Sequence, residues 1–245
     1  MNQEEFAKQV EQDHKQNTFS TFIKEIVYGG TDGIVTTFAV IAGFSGANIG
    51  DAALNLSIIS VLLFGLANLI ADGAAMGLGN YLSIRSSQKL YEHHYNKEVK
   101  ETKLNTSFEI KETEYILKEQ GFEENDAITM THIMSKNEEF WVKFMLQHEC
   151  DIEDPSNEAP LYNGLATFLS FVFFGFMPLI PYFYNSPIKE TFIYASFCTL
   201  IALIMLGILR AIITKENIFR SIIETILVGG TAASLAYLVG YLFKG

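Results

Sequence analysis

The amino-acid sequence predicts an all-α membrane protein with five transmembrane helices and a small three-helix cytoplasmic domain inserted between the second and third spans. Three observations predict it. Hydrophobic residues make up 49% of the 245 residues and charged residues only 18%, and the charges are gathered rather than spread. Five apolar stretches are each long enough to cross about 30 Å of hydrocarbon at about 1.5 Å per residue. With the N-terminus placed inside, fifteen of the seventeen Lys and Arg residues fall on that same side, leaving only Lys189 and Lys244 outside. Such a bias sets orientation by the positive-inside rule. An odd number of spans then puts the C-terminus on the far side.

Taken in order, residues 1–25 open with "MNQEEFAKQVEQDHKQ". This polar stretch lacks the apolar core and cleavage site of a signal peptide and reads as a cytoplasmic amphipathic leader. Residues 26–83 hold the first two spans, over 26–48 and 54–82. Residues 161–245 hold the other three, over 162–183, 190–213 and 221–242. Between them lies the cytoplasmic segment 84–160, where Ile84–Ala159 alone carries 17 acidic residues against 9 basic ones. Most of the net charge of −11 therefore sits in one place. An acidic segment of this kind argues against nucleic acid as a partner and for cations. Cys150 and Cys198 are too few and too scattered for a disulfide framework or a zinc site.

Three helices are expected in 84–160. "SIRSSQKLYEHHYNKEVKETKLN" prolongs the second span into the cytoplasm. "TSFEIKETEYILKEQGF" opens with a capping-box pattern, Thr106 to Glu109, and closes at Gly121. "NEEFWVKFMLQHECDIEDP" is amphipathic and is stopped by Pro155.

Carboxylates inside hydrocarbon need a reason, since each costs about 2.5–3.5 kcal/mol or more when unpaired. Asp32 and Asp72 are the two placed well within spans. Asn68, Asp72, Met76 and Asn80 recur at every fourth residue and share one face of the second span. Oxygen ligands suit divalent ions generally, and a thioether favours transition metals over Mg²⁺ or Ca²⁺. The plainer reading has the two acids fixing helix packing by hydrogen bonds, Met76 filling a gap, and Asn68 and Asn80 joining helices. Gly29, Gly30, Gly33, Gly43 and Gly46 in the first span, and Gly65, Gly73, Gly77 and Gly79 in the second, permit close helix approach, which would bring Asp32 towards Asp72 and Met76 or towards a second subunit's copy. Glu224, at the start of the fifth span, is left without a role.

In the cytoplasmic segment, Glu98, Glu101, Glu109 and Glu112 fall on one narrow arc if a single helix carries them all. Crowded carboxylates repel unless a cation sits between them. A break at 105–107 would split the arc into two pairs, and a solvated acidic face is the bland alternative. "FMLQHEC" adds Met145 and Glu149 on one face, with His148 and Cys150 beside them. His93, His94 and His132 read as surface residues.

"YGGTDGIVTTFAVIAGFSGA", "IADGAAMGLGNYLS", "FGFMPLIPYF" and "ETILVGGTAASLAYLVGYL" together resemble the vacuolar iron transporter family, of the yeast calcium-and-manganese cross-complementer type, in its bacterial form. The resemblance implies a homodimer of five-span subunits that exports Fe²⁺, and Mn²⁺ as well, from the cytoplasm in exchange for protons. It implies a transport path of Asp32 and Met76, to which the reading of the buried acids adds Asp72 close by. It also implies a cytoplasmic metal-binding domain whose ligands are Glu98, Glu101, Glu109, Glu112, Met145 and Glu149, and which Zn²⁺ can also occupy. No prosthetic group is expected, and the chain is expected not to be an enzyme. Two positions depart from the family: Leu146 stands where a second Met is common, and Asn80 stands where many members carry Glu. Glu114 is an alternative to Glu112 if the helix register differs. The expected setting is a bacterial inner membrane, a vacuolar one being the alternative. Two rival readings are an intramembrane aspartyl protease using Asp32 and Asp72, and a membrane-bound iron buffer or oxidase. The second would call for Glu-x-x-His pairs, which the segment lacks.

Overall fold

A computed structural model describes residues 21–46, 54–184 and 188–242. Most of the expected leader lies outside these residues, as do 47–53, 185–187 and 243–245. Among the described residues the fold is helical throughout: α1 (Ile23–Gly46), α2 (Leu54–Leu104), α3 (Thr106–Glu119), α4 (Glu124–Met134), α5 (Glu138–His148), α6 (Pro160–Phe176), α7 (Ile188–Thr214) and α8 (Ile218–Leu242). Five of these elements are long and apolar enough to cross a membrane: α1, α2, α6 with the turn that follows it, α7 and α8. At 51 residues α2 is about 75 Å long, more than twice the hydrocarbon thickness, and its second half is polar. The third span does not stay α-helical. Pro178 and Pro181 cannot donate to the ladder, and Met177–Phe183 tightens into a 3₁₀ helix.

The chain divides into two compact units. One runs to Asn80 and resumes at Leu161; the other is Tyr81–Pro160. In the first, α1 is buried through Ile34, Phe38, Ile41 and Ala42. Its glycines are spent on α6. A Cβ on Gly29 would stand 2.5 Å from the Thr167 carbonyl oxygen, and one on Gly33 would collide with that of Phe171. On α2, a Cβ at Gly77 would meet the Gly164 carbonyl oxygen at 2.8 Å. The close approach expected of these glycines is therefore made to the third span, not between the first and second. Short polar bonds hold the same seam, including Ser170 Oγ donating to the Ile26 carbonyl at 2.7 Å and Asn80 Nδ2 donating to Thr167 Oγ1 at 3.0 Å. Asn80 thus joins helices, as its carboxamide suggested.

In the second unit the core is Leu117, Ala127, Met134, Trp141 and Met145, contributed by α3, α4 and α5. Helix α4 was not foreseen. It is only 11 residues long and polar, with Thr129, Thr131 and His132 breaking any apolar run. The expected Thr106–Glu109 capping box is also replaced. The backbone turns one residue earlier, at Asn105, and no side chain caps α3. Thr106 Oγ1 instead donates back to the Thr102 carbonyl at 2.7 Å, which leaves the Glu109 carboxylate free to turn inward.

Candidate functional site

The four-glutamate arc presupposed one helix, and the chain breaks at Asn105 instead. Glu98 lies on the last turns of α2, Glu109 on α3, and Glu149 just past α5. Oxygens of these three carboxylates come within 4.8 Å of one another. Glu98 is 3% exposed and Glu109 5%, whereas Glu149 is open to solvent. Glu98 Oε1 is buried and no N–H or hydroxyl donor reaches it, while the Glu98 and Glu109 carboxyl groups are close enough to share a proton. Three carboxylates this close repel, and a buried oxygen that no donor reaches is costly. Burial first, then the charges of Glu149, Glu109 and Glu101, push Glu98 up to about 8. Glu109 is raised by burial and by Glu112 and Glu101, and Glu149 by burial and by Glu112, Glu109 and Glu101. A cation seated among them would relieve both penalties. Glu101 and Glu112 thus act on the group through their charge without joining it. Glu101 is also paired with Lys97 at 3.4 Å.

Met145, one turn before Glu149, is wholly buried in the α3–α5 core, and its sulfur accepts the Thr113 hydroxyl at 3.2 Å. Thr113 in turn accepts the indole N–H of Trp141 at 2.8 Å. Leu146, where a second thioether would stand, is packed and 1% exposed. None of the described histidines takes part in the cluster; His148 Nδ1 pairs with the Gln120 amide at 2.9 Å.

In the first unit, Asp32, Asp72 and Met76 are each half-buried. The two carboxyl groups lie within Coulombic reach of one another. Met76 packs on the core around Phe38, Ile41 and Leu69. Much of the membrane half of α2 faces outward, with Ile59, Leu63, Phe64, Ile70 and Leu78 exposed. Glu224 is ion-paired to Arg210 at 3.1 Å and Arg220 at 2.9 Å.

One acid was missed. Glu25 is 6% exposed; its Oε1 accepts from Asn163 Nδ2 at 3.1 Å, and its Oε2 is buried without a partner. Its place seven residues before Asp32, two helical turns on the same face of α1, was the available signal. The sequence reading set it in the leader, on the wrong side of the boundary.

The family model described as the VIT family matches residues 23–241. A protein named Vacuolar iron transporter 1 from Tulipa gesneriana is 30% identical over 227 residues, 93% of this chain and 89% of that one. The Vacuolar iron transporter of Toxoplasma gondii is 33% identical over 244 residues, covering 95% and 78%. Vacuolar iron transporter 1 of Arabidopsis thaliana is 29% identical over 233 residues, covering 94% and 90%. These relatives are named as transporters, not enzymes. With the match running from the start of α1 to the end of α8, the chain belongs to the VIT family.

Proposed function

We propose that this protein exports a divalent transition metal from the cytoplasm, with Fe²⁺ as the principal cargo and Mn²⁺ as a second, working as a homodimer. The names of its relatives support iron as cargo. The observation that carries the reading is the convergence of Glu98, Glu109 and Glu149 around a buried carboxylate oxygen that no N–H or hydroxyl donor reaches. Oxygen ligands of this kind suit Fe²⁺ and Mn²⁺, and Zn²⁺ can also occupy them. In this reading Tyr81–Pro160 is a cytoplasmic metal-collecting domain, and Glu101 and Glu112 raise its negative field.

The path itself runs through Asp32, Asp72 and Met76. Their partial exposure in a single subunit, beside the outward apolar face of α2, supports a path lined by two copies. Carboxylates there serve twice, as ligands when ionised and as proton carriers when protonated, which gives metal–proton antiport. The Lys and Arg distribution supports the N-terminus inside and the C-terminus outside. Resemblance to the bacterial form of the family supports a bacterial inner membrane, although relatives carry the vacuole in their names.

The deciding experiment is metal flux in proteoliposomes under an imposed pH gradient, comparing Fe²⁺, Mn²⁺, Zn²⁺ and Ca²⁺. Asp32→Asn is expected to abolish flux while leaving a folded protein in detergent. Wild-type flux in that variant would overturn the path assignment.

A further inference from the structure

Glu149 differs from Glu98 and Glu109 in how it is held. Those two stand inside helices, whereas Glu149 caps the C-terminus of α5, its amide bonded to the Met145 carbonyl at 2.8 Å. Helix ends fray, and a ligand that frays cannot keep its place beside two that do not. The chain beyond it is tied back in stages. Asp151 takes a left-handed backbone, φ 53°, which Asp tolerates better than most residues, and the Ile152 N–H then reaches the Leu146 carbonyl at 3.0 Å. Farther on, Pro155–Asn157 forms a 3₁₀ turn whose Asp154 cap accepts the Ser156 N–H at 2.9 Å. Gln88 Nε2, on α2, donates to the Pro155 carbonyl at 3.4 Å and to the Glu158 carbonyl at 3.2 Å.

Gln88, Tyr91, Tyr95 and Glu98 recur on α2 at steps of three and four residues, so one stripe carries both the fastening and a carboxylate of the cluster. Gln88, Tyr91 and Tyr95 form one wall of a groove of about 560 Å³. Glu139 and Lys143 of α5 form another, and Asp154–Ser156 closes it. The Tyr91 hydroxyl is buried. Burial raises that phenol, and the Asp154 charge raises it further. Asp154 is held low: burial opposes this, and Ser156, Lys143 and Tyr91 outweigh it. The return stretch is thus gripped from α2 and α5 at once.

We propose that Gln88 and Tyr91 are positioning residues for metal collection: they strap the stretch after α5 to α2 and so keep Glu149 beside Glu98 and Glu109. This rests on the proposed function and assigns it two residues outside the cluster. Both lie about 10–15 Å along α2 from Glu98, too far to hold the same ion. Glu149 is the solvent-open carboxylate of the three, so the strap governs the arm that an arriving ion meets first.

The full-length protein in detergent is titrated with paramagnetic Mn²⁺, read by quenching of Trp141, the single tryptophan of the chain. Gln88→Leu, which removes both bonds, and Tyr91→Phe are each expected to weaken Mn²⁺ binding about tenfold. Placed on Glu149→Gln, the same substitutions should cost no more than about twofold further, because they act through Glu149. Losses that simply add overturn the proposal, since Gln88 and Tyr91 then act elsewhere in the unit. Hydrogen exchange gives an independent reading. The amides of Glu149 and Ile152 are expected to exchange faster in Gln88→Leu while those of α3 do not change, and unchanged protection at both refutes the strap. Should the double variant Glu98→Gln, Glu109→Gln quench as wild type does, the ion sits elsewhere and the collecting-site reading itself falls. Should it lose quenching while Gln88→Leu and Tyr91→Phe bind Mn²⁺ as wild type does, only the strap falls.

Discussion

Glu98 has an environment that makes its protonation a stability question. Its ordinary value near 4.5 is pushed up to about 8 by burial and by three neighbouring glutamates. Between those two pH values the metal-free native state holds a proton that the unfolded chain has lost. Stability therefore falls as pH rises through that window and levels off above it. Glu98→Gln keeps the shape and cannot ionise, so the slope it contributes should disappear. Denaturant unfolding followed by Trp141 fluorescence at about pH 5 and about pH 9 measures this, and an unchanged slope in the variant refutes the assignment. On the proposed function, bound metal would invert the dependence, because the ion needs the ionised carboxylates and must expel the proton. The type of residue at this site was legible in the sequence, and its membership was not. Helical spacing put four glutamates on one arc. The capping pattern at Thr106 and the break weighed at 105–107 pointed to the turn at Asn105, but neither says that the turn brings Glu98 and Glu109 together and leaves Glu101 and Glu112 outside the group.

At the scale of helices, the seam between α1 and α6 is set by residues without side chains. Gly33 meets the Phe171 backbone, which cannot yield as a side-chain tip would, while Gly43 on the same helix has nothing within 4 Å of where a methyl group would stand. Gly33→Ala should therefore destabilise the detergent-solubilised protein by about 1–3 kcal/mol through overpacking. Gly43→Ala should be neutral or slightly stabilising, as alanine favours helix. A thermal melt of the two variants side by side decides it; equal midpoints would mean that α1 and α6 do not meet there. Span existence and order were readable because hydropathy is summed over about twenty residues and tolerates local error. The partner of each glycine was not, because a small residue declares that something comes close without naming it. Helix α4 escaped for the opposite reason: eleven mostly polar residues carry too weak a period to stand out.

For the molecule as a whole, the uneven charge has a kinetic meaning. Seventeen acidic residues against nine basic ones in Ile84–Ala159 make that segment a sink for cations. Uptake at sub-saturating metal should therefore slow as ionic strength rises from about 0.01 M to about 0.15 M, where the screening length shrinks from about 30 Å to about 8 Å. Initial rates in proteoliposomes at constant pH gradient test this, and salt-independent rates would remove any role for the acidic field. The seam between α1 and α6 has a further meaning at this scale. Main chain rests on main chain there at Gly29 and Gly33. On the transport reading the two helices are expected to travel as a single stiff plank, and an alternation that turned Asp32 from one side of the membrane to the other would then come from the remaining helices rocking against that plank.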